Sequence, residues 1–359
     1  MTLVAIERLS KRYGAVTAVD DLSLEIGDGE FVSLLGPSGC GKTTTLRCIA
    51  GFVTADAGTI AFDGVDIGGL PPERRNIGMV FQNYALFPHL TVYENLNFGL
   101  AMRRVAKAAA GERIAAILDT VQLAGFDDRY PRQLSGGQQQ RIALARALVI
   151  EPSVLLLDEP LANIDAKLRD EMRFFIRTLH KRVGITTVYV THDQSEAMTM
   201  SDRVVVMFNG AIRQIGSPTE IYARPQTRQV AEFIGMSNFI AGRVREVGAT
   251  SGHVIDAPLA TLRCAYDGPL AAGDTVTMMV RPEAIGLTRD APPDGDNSFV
   301  GTVRERYFLG NSCQVKVGCA DGSVIQVEEE PWIDFAIGDR VWCSFAPERA
   351  WIIPGAGTR

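Results

Sequence analysis

A glycine-rich run stands where a buried strand hands over to a helix. The apolar stretch Phe31-Val-Ser-Leu-Leu35 is followed by Gly36, Pro37, Ser38, Gly39, Cys40, Gly41, Lys42 and Thr43, and an apolar-periodic helix spans about Lys42 to Ala50, closed by Gly51. Glycines at this spacing let backbone N–H groups turn inward around phosphate, and the helix N-terminus adds a favourable dipole. The spacing is that of a P-loop. It places Lys42 to reach the β- and γ-phosphates of ATP, the Thr43 hydroxyl to bind Mg²⁺, and Thr44 beside them. Cys40 reads as a small residue whose N–H faces phosphate, without a redox role. A second signal is Val154-Leu-Leu-Leu-Asp-Glu-Pro160, an apolar strand ending in acid. Alone it is equally well a strand meeting solvent. After a P-loop, Asp158 becomes a carboxylate that holds Mg²⁺, often through water, and Glu159 the group that polarises the attacking water.

Leu134-Ser-Gly-Gly-Gln138 lies 20 residues before Asp158 and begins a helix, so it offers a second anion-binding terminus. One nucleotide does not need two such loops from one subunit. With this pentapeptide between the two nucleotide motifs, the chain resembles the ATP-binding cassette (ABC) family. The resemblance implies a head-to-tail homodimer in which Ser135, Gly136, Gly137 and Gln138 close on ATP held by the other protomer, with Asp165 also acting across the dimer. It implies further roles position by position. Tyr13 stands where the family stacks an aromatic on adenine. Gln82, in Val80-Phe-Gln-Asn-Tyr84, resembles a glutamine that contacts Mg²⁺ and water and senses the membrane subunit. His192, in Val190-Thr-His-Asp193, resembles the switch histidine at the γ-phosphate. In Leu161-Ala-Asn-Ile-Asp165 the family often has Ser and Leu where this chain has Ala162 and Ile164, which puts one hydroxyl hydrogen bond in question.

The stretch Tyr84 to Asn95 resembles the region of bacterial importer subunits that receives a coupling helix of the permease, with Leu86 expected to face that partner. Val280-Arg-Pro-Glu283 and the strands after it resemble the accessory barrel of the same subclass, which serves sugar, polyamine, ferric-iron, sulfate and aminophosphonate systems. The implied partners are two transmembrane permease subunits and, indirectly, a solute-binding protein. The implied location is the cytoplasmic face of the inner membrane, and the overall likeness leans to polyamine, iron or aminophosphonate transport.

Elements must hold these residues in place. Leu22, Leu24 and Ile26 alternate with polar residues as a strand; Thr59–Phe62 and the Asp63-Gly64 turn suggest a hairpin; residues 88–150 are mainly helical, including Glu112–Val121 and Gln138–Val149. Strand and helix then alternate: Val154–Leu157, Ala166–Val183, Thr187–Val190, Gln194–Met200, Arg203–Phe208, with a turn at Asn209-Gly210. Short buried strands between amphipathic helices predict a parallel sheet covered on both faces. After about Gly235 short strands take over, at Thr277–Val280, Phe299–Arg304, Gln314–Val317, Val324–Val327 and Arg340–Phe345, with a loop at Pro292–Asn297. The expected fold is therefore an α/β P-loop ATPase domain over residues 1–235, with a parallel-sheet core, an antiparallel β subdomain and a helical subdomain near 88–150. An all-β, OB-like barrel over 236–359 follows.

At 359 residues the chain suits two domains. Net charge is −6, and residues 236–359 carry 11 Lys and Arg against 16 Asp and Glu. An acidic second domain argues against nucleic-acid binding. Cys40, Cys48, Cys264, Cys313, Cys319 and Cys343 form no Cys-x-x-Cys pair, and His89, His180 and His253 stand apart from them, so neither a disulfide framework nor a zinc site is expected. The N-terminus reads as a strand, and no stretch reaches the ~20 apolar residues of a membrane span. Two rivals remain: a soluble ATPase of this superfamily acting on DNA or ribosomes, without the long heptad insertion or second cassette those types show, and a regulatory protein whose barrel senses a ligand.

Overall fold

The computed structural model describes residues 2–248, 252–292 and 297–354. The chain divides into two compact units, Met1–Pro218 and Thr219–Arg359. The first runs β1 (Val4–Tyr13), β2 (Val16–Ile26), β3 (Phe31–Leu35), α1 (Lys42–Ala50), β4 (Ala57–Phe62), β5 (Val65–Asp66), β6 (Ile77–Val80), α2 (Val92–Met102), α3 (Lys107–Thr120) and α4 (Gly136–Leu148). It continues with β7 (Val154–Asp158), α5 (Ala166–Val183), β8 (Thr186–Thr191), α6 (Gln194–Met200), β9 (Arg203–Phe208) and β10 (Ala211–Gly216).

Six strands form the central sheet in the order β10-β9-β3-β8-β7-β6, all parallel except β10. Every residue of β3, β7 and β8 is buried, and the two-residue strand period sorts their side chains between two cores. Val32, Leu34, Leu156, Val188 and Val190 join α1 and the antiparallel sheet β2-β1-β4-β5. Phe31, Leu155, Leu157 and Tyr189 instead join α4 and α5. A third cluster holds the helical subdomain, where Val92, Leu96 and Leu100 of α2 and Ala110, Ile114 and Leu118 of α3 repeat every four residues. The helix α3 begins at Lys107, five residues before the expected Glu112, and runs through Gly111 because Ala110 is buried in register with Ile114.

The second unit opens with α7 (Pro218–Ala223), at the division itself, and α8 (Arg228–Ile234). The strands are β11 (Asn238–Glu246), β12 (His253–Asp256), β13 (Thr261–Cys264), β14 (Thr275–Val280), β15 (Gly286–Thr288), β16 (Asn297–Phe308), β17 (Cys313–Cys319), β18 (Val324–Glu329), β19 (Arg340–Phe345) and β20 (Ala350–Ile352). They pair antiparallel as two five-stranded sheets, β13-β12-β11-β14-β20 and β15-β19-β16-β17-β18. One apolar core serves both sheets, which makes this the all-β, OB-like unit. The central four residues of the expected Pro292–Asn297 loop lie outside the described residues. Asn297 begins β16, where its amide receives the Arg263 N–H (2.6 Å) and donates to the Arg263 carbonyl (2.7 Å).

The helices α7 and α8 are fastened by one side chain. Arg281, 4% exposed, sits in the Val280-Arg-Pro-Glu283 motif. Its Nη1 donates to Ala231 O (3.1 Å), Gly235 O (3.0 Å), Met236 O (3.1 Å) and Ser237 Oγ (2.7 Å), and its Nη2 to Tyr222 O (2.9 Å). The Tyr222 ring lies 4.2 Å under the guanidinium, and its hydroxyl bonds Glu283. Helical periodicity ends near residue 235, but this clamp draws the compact unit back to Thr219. Arg281→Ala would strand several carbonyls at about 1–3 kcal/mol each. We expect amide exchange across Arg228–Ile234 to quicken more than about tenfold, with β3 and β7 unchanged. Unchanged exchange in α8 would show that Ala231 packing on Met279 and Ile353 holds the helix unaided.

Candidate functional site

Strand register gathers the chemistry. Leu35 of β3 pairs with Thr191 of β8, Val190 of β8 with Asp158 of β7, and Leu157 of β7 with Val80 of β6. The chain therefore leaves four parallel strands at one sheet edge, toward the P-loop, His192, Glu159 and Gln82 respectively. This carboxyl edge is where open α/β sheets collect ligands.

Pro37, Ser38 and Gly39 form the exposed crest of the P-loop, while Gly36, Cys40, Gly41 and Lys42 are buried and Thr43 and Thr44 half-buried. Cys40 N–H donates to Pro37 O (3.3 Å), and the Lys42 ammonium to Gly36 O (2.6 Å) and Pro37 O (2.9 Å), 3.6 Å from the Cys40 sulfur. Gly41 has φ +103°, and a Cβ there would meet the Ala18 carbonyl at 2.3 Å. Behind the loop, Gly210 N–H donates to Cys40 O (3.1 Å) and Gly210 O accepts from Asp20 N–H (2.9 Å). At the other end of α1, Arg75 donates to the Cys48 (2.7 Å) and Ile49 (2.9 Å) carbonyls, completing the helix C-terminus with a cation.

The Thr43 hydroxyl donates to Asp158 Oδ1 at 3.4 Å. Burial pushes the Asp158 carboxyl above its ordinary range; Glu159 adds to this, and Arg47, Thr43 and Lys42 oppose it. A buried carboxylate and a hydroxyl make an all-oxygen donor pair suited to a hard cation. Glu159 holds φ 45°, a left-handed conformation that non-glycine residues adopt at a cost and that concentrates at functional sites. Its N–H donates to Val190 O (3.1 Å), and its Oε2 lies 3.3 Å from His192 Nδ1.

The remaining candidates sit apart from this cluster. Ser135 caps α4 through a reciprocal box, in which its Oγ accepts from Gln138 N–H (3.4 Å) and Gln138 Oε1 from Ser135 N–H (3.0 Å). That box occupies the Gln138 side chain and leaves the amides of Gly136 and Gly137 without an intrahelical acceptor. Asp165 caps α5, accepting from Leu168 N–H (2.9 Å), and Leu168 packs against Gly137. Among the described residues no hydrogen bond joins Ser135–Gln138 or Asp165 to the P-loop. Tyr13 is 51% exposed, its ring 5.6 Å from the Lys11 ammonium. Gln82 is exposed, and its carbonyl accepts from Asn163 Nδ2 (2.9 Å).

After Gln82 the chain forms an aromatic platform. Tyr84 and Ala85 both take positive φ, and Arg146 binds their carbonyls at 2.8 and 2.7 Å. Asn95, wholly buried, accepts from Phe87 N–H (2.9 Å) and donates to the Phe87, Leu90 and Thr91 carbonyls. Leu86, expected to face a partner, is half-buried and packs against two cores beside the bonds of Arg146 and Asn95. Phe98, its ring tilted and 4.7 Å from that of Phe87, and Phe52, 6.0 Å from Phe81, are exposed.

A family model described as ABC transporter matches residues 19–162, and one described as TOBE domain matches residues 278–353. The chain is 46% identical to the spermidine/putrescine import ATP-binding protein PotA of Thermobifida fusca, across 98% of this chain and 94% of that protein. This chain belongs to the ABC transporter family. It is 43% identical to the Fe(3+) ions import ATP-binding protein FbpC of Fusobacterium nucleatum, across 99% of this chain and 94% of that one. The ATP-binding cassette MJ0796, solved as a dimer in a post-hydrolysis state with ADP and Pi, is 32% identical with a TM-score of 0.53, covering 60% of this chain and 98% of its own. As an ABC subunit the chain is an ATPase, and ATP is its nucleotide.

Several supports of the ABC site escaped the sequence reading: Ala18 and Gly210 behind the P-loop, Arg75 at the end of α1, and Asn163 on Gln82. Gly210 left a trace as half of a turn signal, and Asn163 as a member of the Leu161–Asp165 motif. Glycine geometry also ranks two substitutions. Gly39 has φ +79° with nothing within 4 Å of an added Cβ, so Gly39→Ala meets only the left-handed strain of about 1–2 kcal/mol. Gly41→Ala adds a clash with backbone. Fluorescent-ATP titration should show a loss near tenfold for Gly39→Ala and a much larger one for Gly41→Ala; equal affinities would mean the loop moves freely off β2.

Proposed function

We propose that two copies of this chain close head to tail on two ATP molecules, and that closure and reopening drive solute import through separate transmembrane permease subunits. The carrying observation is the pairing of one sheet edge bearing Lys42, Thr43, Asp158, Glu159 and His192 with a second helix start where the Gly136 and Gly137 amides make no hydrogen bond among the described residues. A partner's phosphates fit that start. Lys42 leaves its loop carbonyls for the β- and γ-phosphates as ATP enters, and Tyr13 offers an exposed ring to adenine. Thr43 and Asp158, with Gln82, would hold Mg²⁺, which when bound neutralises charge developing on the phosphoryl oxygens. Glu159 orients water for in-line attack and accepts its proton, and His192 steadies the Glu159 carboxylate and the γ-phosphate. Asp165, as cap of α5, ties the dimer surface to this site.

No helix among the described residues is long and apolar enough to cross a membrane. We place the chain at the cytoplasmic face, docked to the permease through the platform around Phe87 and Phe98. Relatives of nearly equal identity are named for spermidine/putrescine and for Fe(3+) ions. Cargo is then chosen by the permease and a solute-binding protein rather than by this subunit.

Two experiments test the reading. Glu159→Gln should keep ATP affinity, lower turnover by roughly 10²–10⁴-fold and accumulate as an ATP-bound dimer on size exclusion; near-normal turnover removes Glu159 from the mechanism. Phe98→Glu changes an exposed side chain, so ATP affinity and basal hydrolysis should persist. Burying that carboxylate against a permease costs several kcal/mol, so co-purification with the permease and ATP-driven uptake should be lost. Intact uptake would move the coupling surface elsewhere.

A further inference from the structure

Hydrogen bonds that the hydrolytic reading does not use tie down the turn carrying His192. Within three residues the chain leaves the buried strand β8, presents an imidazole and starts α6. Glu196, in the first turn of α6, is 4% exposed, and its Oε2 accepts from Tyr189 Oη and from Thr191 Oγ1, each at 2.6 Å. Thr191 Oγ1 in turn accepts from Asp193 N–H (2.9 Å), and Asp193 Oδ1 accepts from Glu196 N–H (3.1 Å). These bonds close a ring through residues 191, 193 and 196, with His192 between two of its members.

The helix itself does not require this arrangement. Asp193 already caps α6, and a glutamate at this position ordinarily reaches back to the cap amide in solvent. Here the carboxyl turns inward against its desolvation cost. Burial pushes the group up, while the Thr191 and Tyr189 hydroxyls hold it down. On the outer side of the turn, Asp193 Oδ2 pairs with Arg173 (3.2 Å) and Arg169 (3.8 Å) of α5, and Arg169 also donates to Ile164 O (3.0 Å).

Packing does not fix the imidazole. The His192 side chain is 59% exposed and borders a cavity of about 50 Å³ that Glu159, Ala162, Thr191 and Glu196 also line. A ring with open space beside it can rotate unless its backbone and neighbours are held.

We infer that Glu196 is a positioning residue: with Tyr189 and Thr191 as its donors and Asp193 braced by α5, it holds His192 at its 3.3 Å approach to Glu159. The inference rests on the reading of Glu159 and His192 as the pair that handles the attacking water.

The test uses the full chain and measures kcat and KM for ATP, equilibrium ATP affinity and thermal midpoint. Glu196→Ala should lower kcat by about 10²-fold, the scale of a small misplacement at a reacting centre. ATP affinity should stay within about twofold, because only a step after binding is touched. Glu196→Gln keeps one acceptor oxygen and should recover part of the loss. Leu118→Ala, in the helical subdomain, gives a matched drop in thermal midpoint and should leave kcat unchanged. In a His192→Ala background, Glu196→Ala should add no further loss. A Glu196→Ala variant that melts earlier but keeps kcat per folded molecule would reduce Glu196 to a structural group. Losses that multiply in the double variant would show that it does not act through His192. Wild-type turnover in His192→Ala alone would sink the reading of His192 itself, and this proposal with it.

Discussion

The in-register parallel pairing of β3, β8 and β7 is the constraint on which the rest of the molecule depends. Three strands ending at one level deliver a phosphate loop, a histidine and two carboxylates to the same edge, and a slip of one residue would turn every side chain to the opposite face. The register is held because the odd and even residues of these strands belong to different apolar cores, each closed by its own helices. Stability and function are thus specified by the same alternation of Leu and Val.

Much of this was legible in the sequence, for local reasons. A P-loop, a signature helix start and an apolar strand ending in Asp-Glu each carry their meaning within a few residues, and helices such as Ala166–Val183 follow from short-range periodicity. What was hidden depends on distant partners. The contact of Gly41 with Ala18, the clamp of Arg281 and the packing of Leu86 against two cores each join residues far apart in the chain or in unrelated elements. Glu196 carries no motif signal of its own, and only the fold shows its carboxylate accepting from Tyr189 and Thr191.

Three arginines, Arg75 and Arg281 buried and Arg146 half-buried, organise irregular backbone. Arg75 completes a helix end, Arg146 holds two left-handed residues, and Arg281 gathers the carbonyls at the close of α8. Each guanidinium is satisfied chiefly by carbonyls rather than carboxylates, and burial lowers its proton affinity, opposed by Cys48 and Asp66 near Arg75 and by Tyr222 and Glu283 near Arg281. Such hubs fix shape through geometry, since removal leaves several acceptors unsatisfied together.

Four of the six free thiols, Cys264, Cys313, Cys319 and Cys343, lie in the core shared by the two antiparallel sheets. Burial pushes the Cys264 and Cys343 thiols up to about 12, so almost no thiolate exists there at neutral pH. Alkylating reagents can reach these sulfurs only when the sheets part. The rate at which these four cysteines take up such a label, resolved by peptide from Cys40 and Cys48 of the first unit, therefore reads out, without any engineered probe, how often the second unit breathes open.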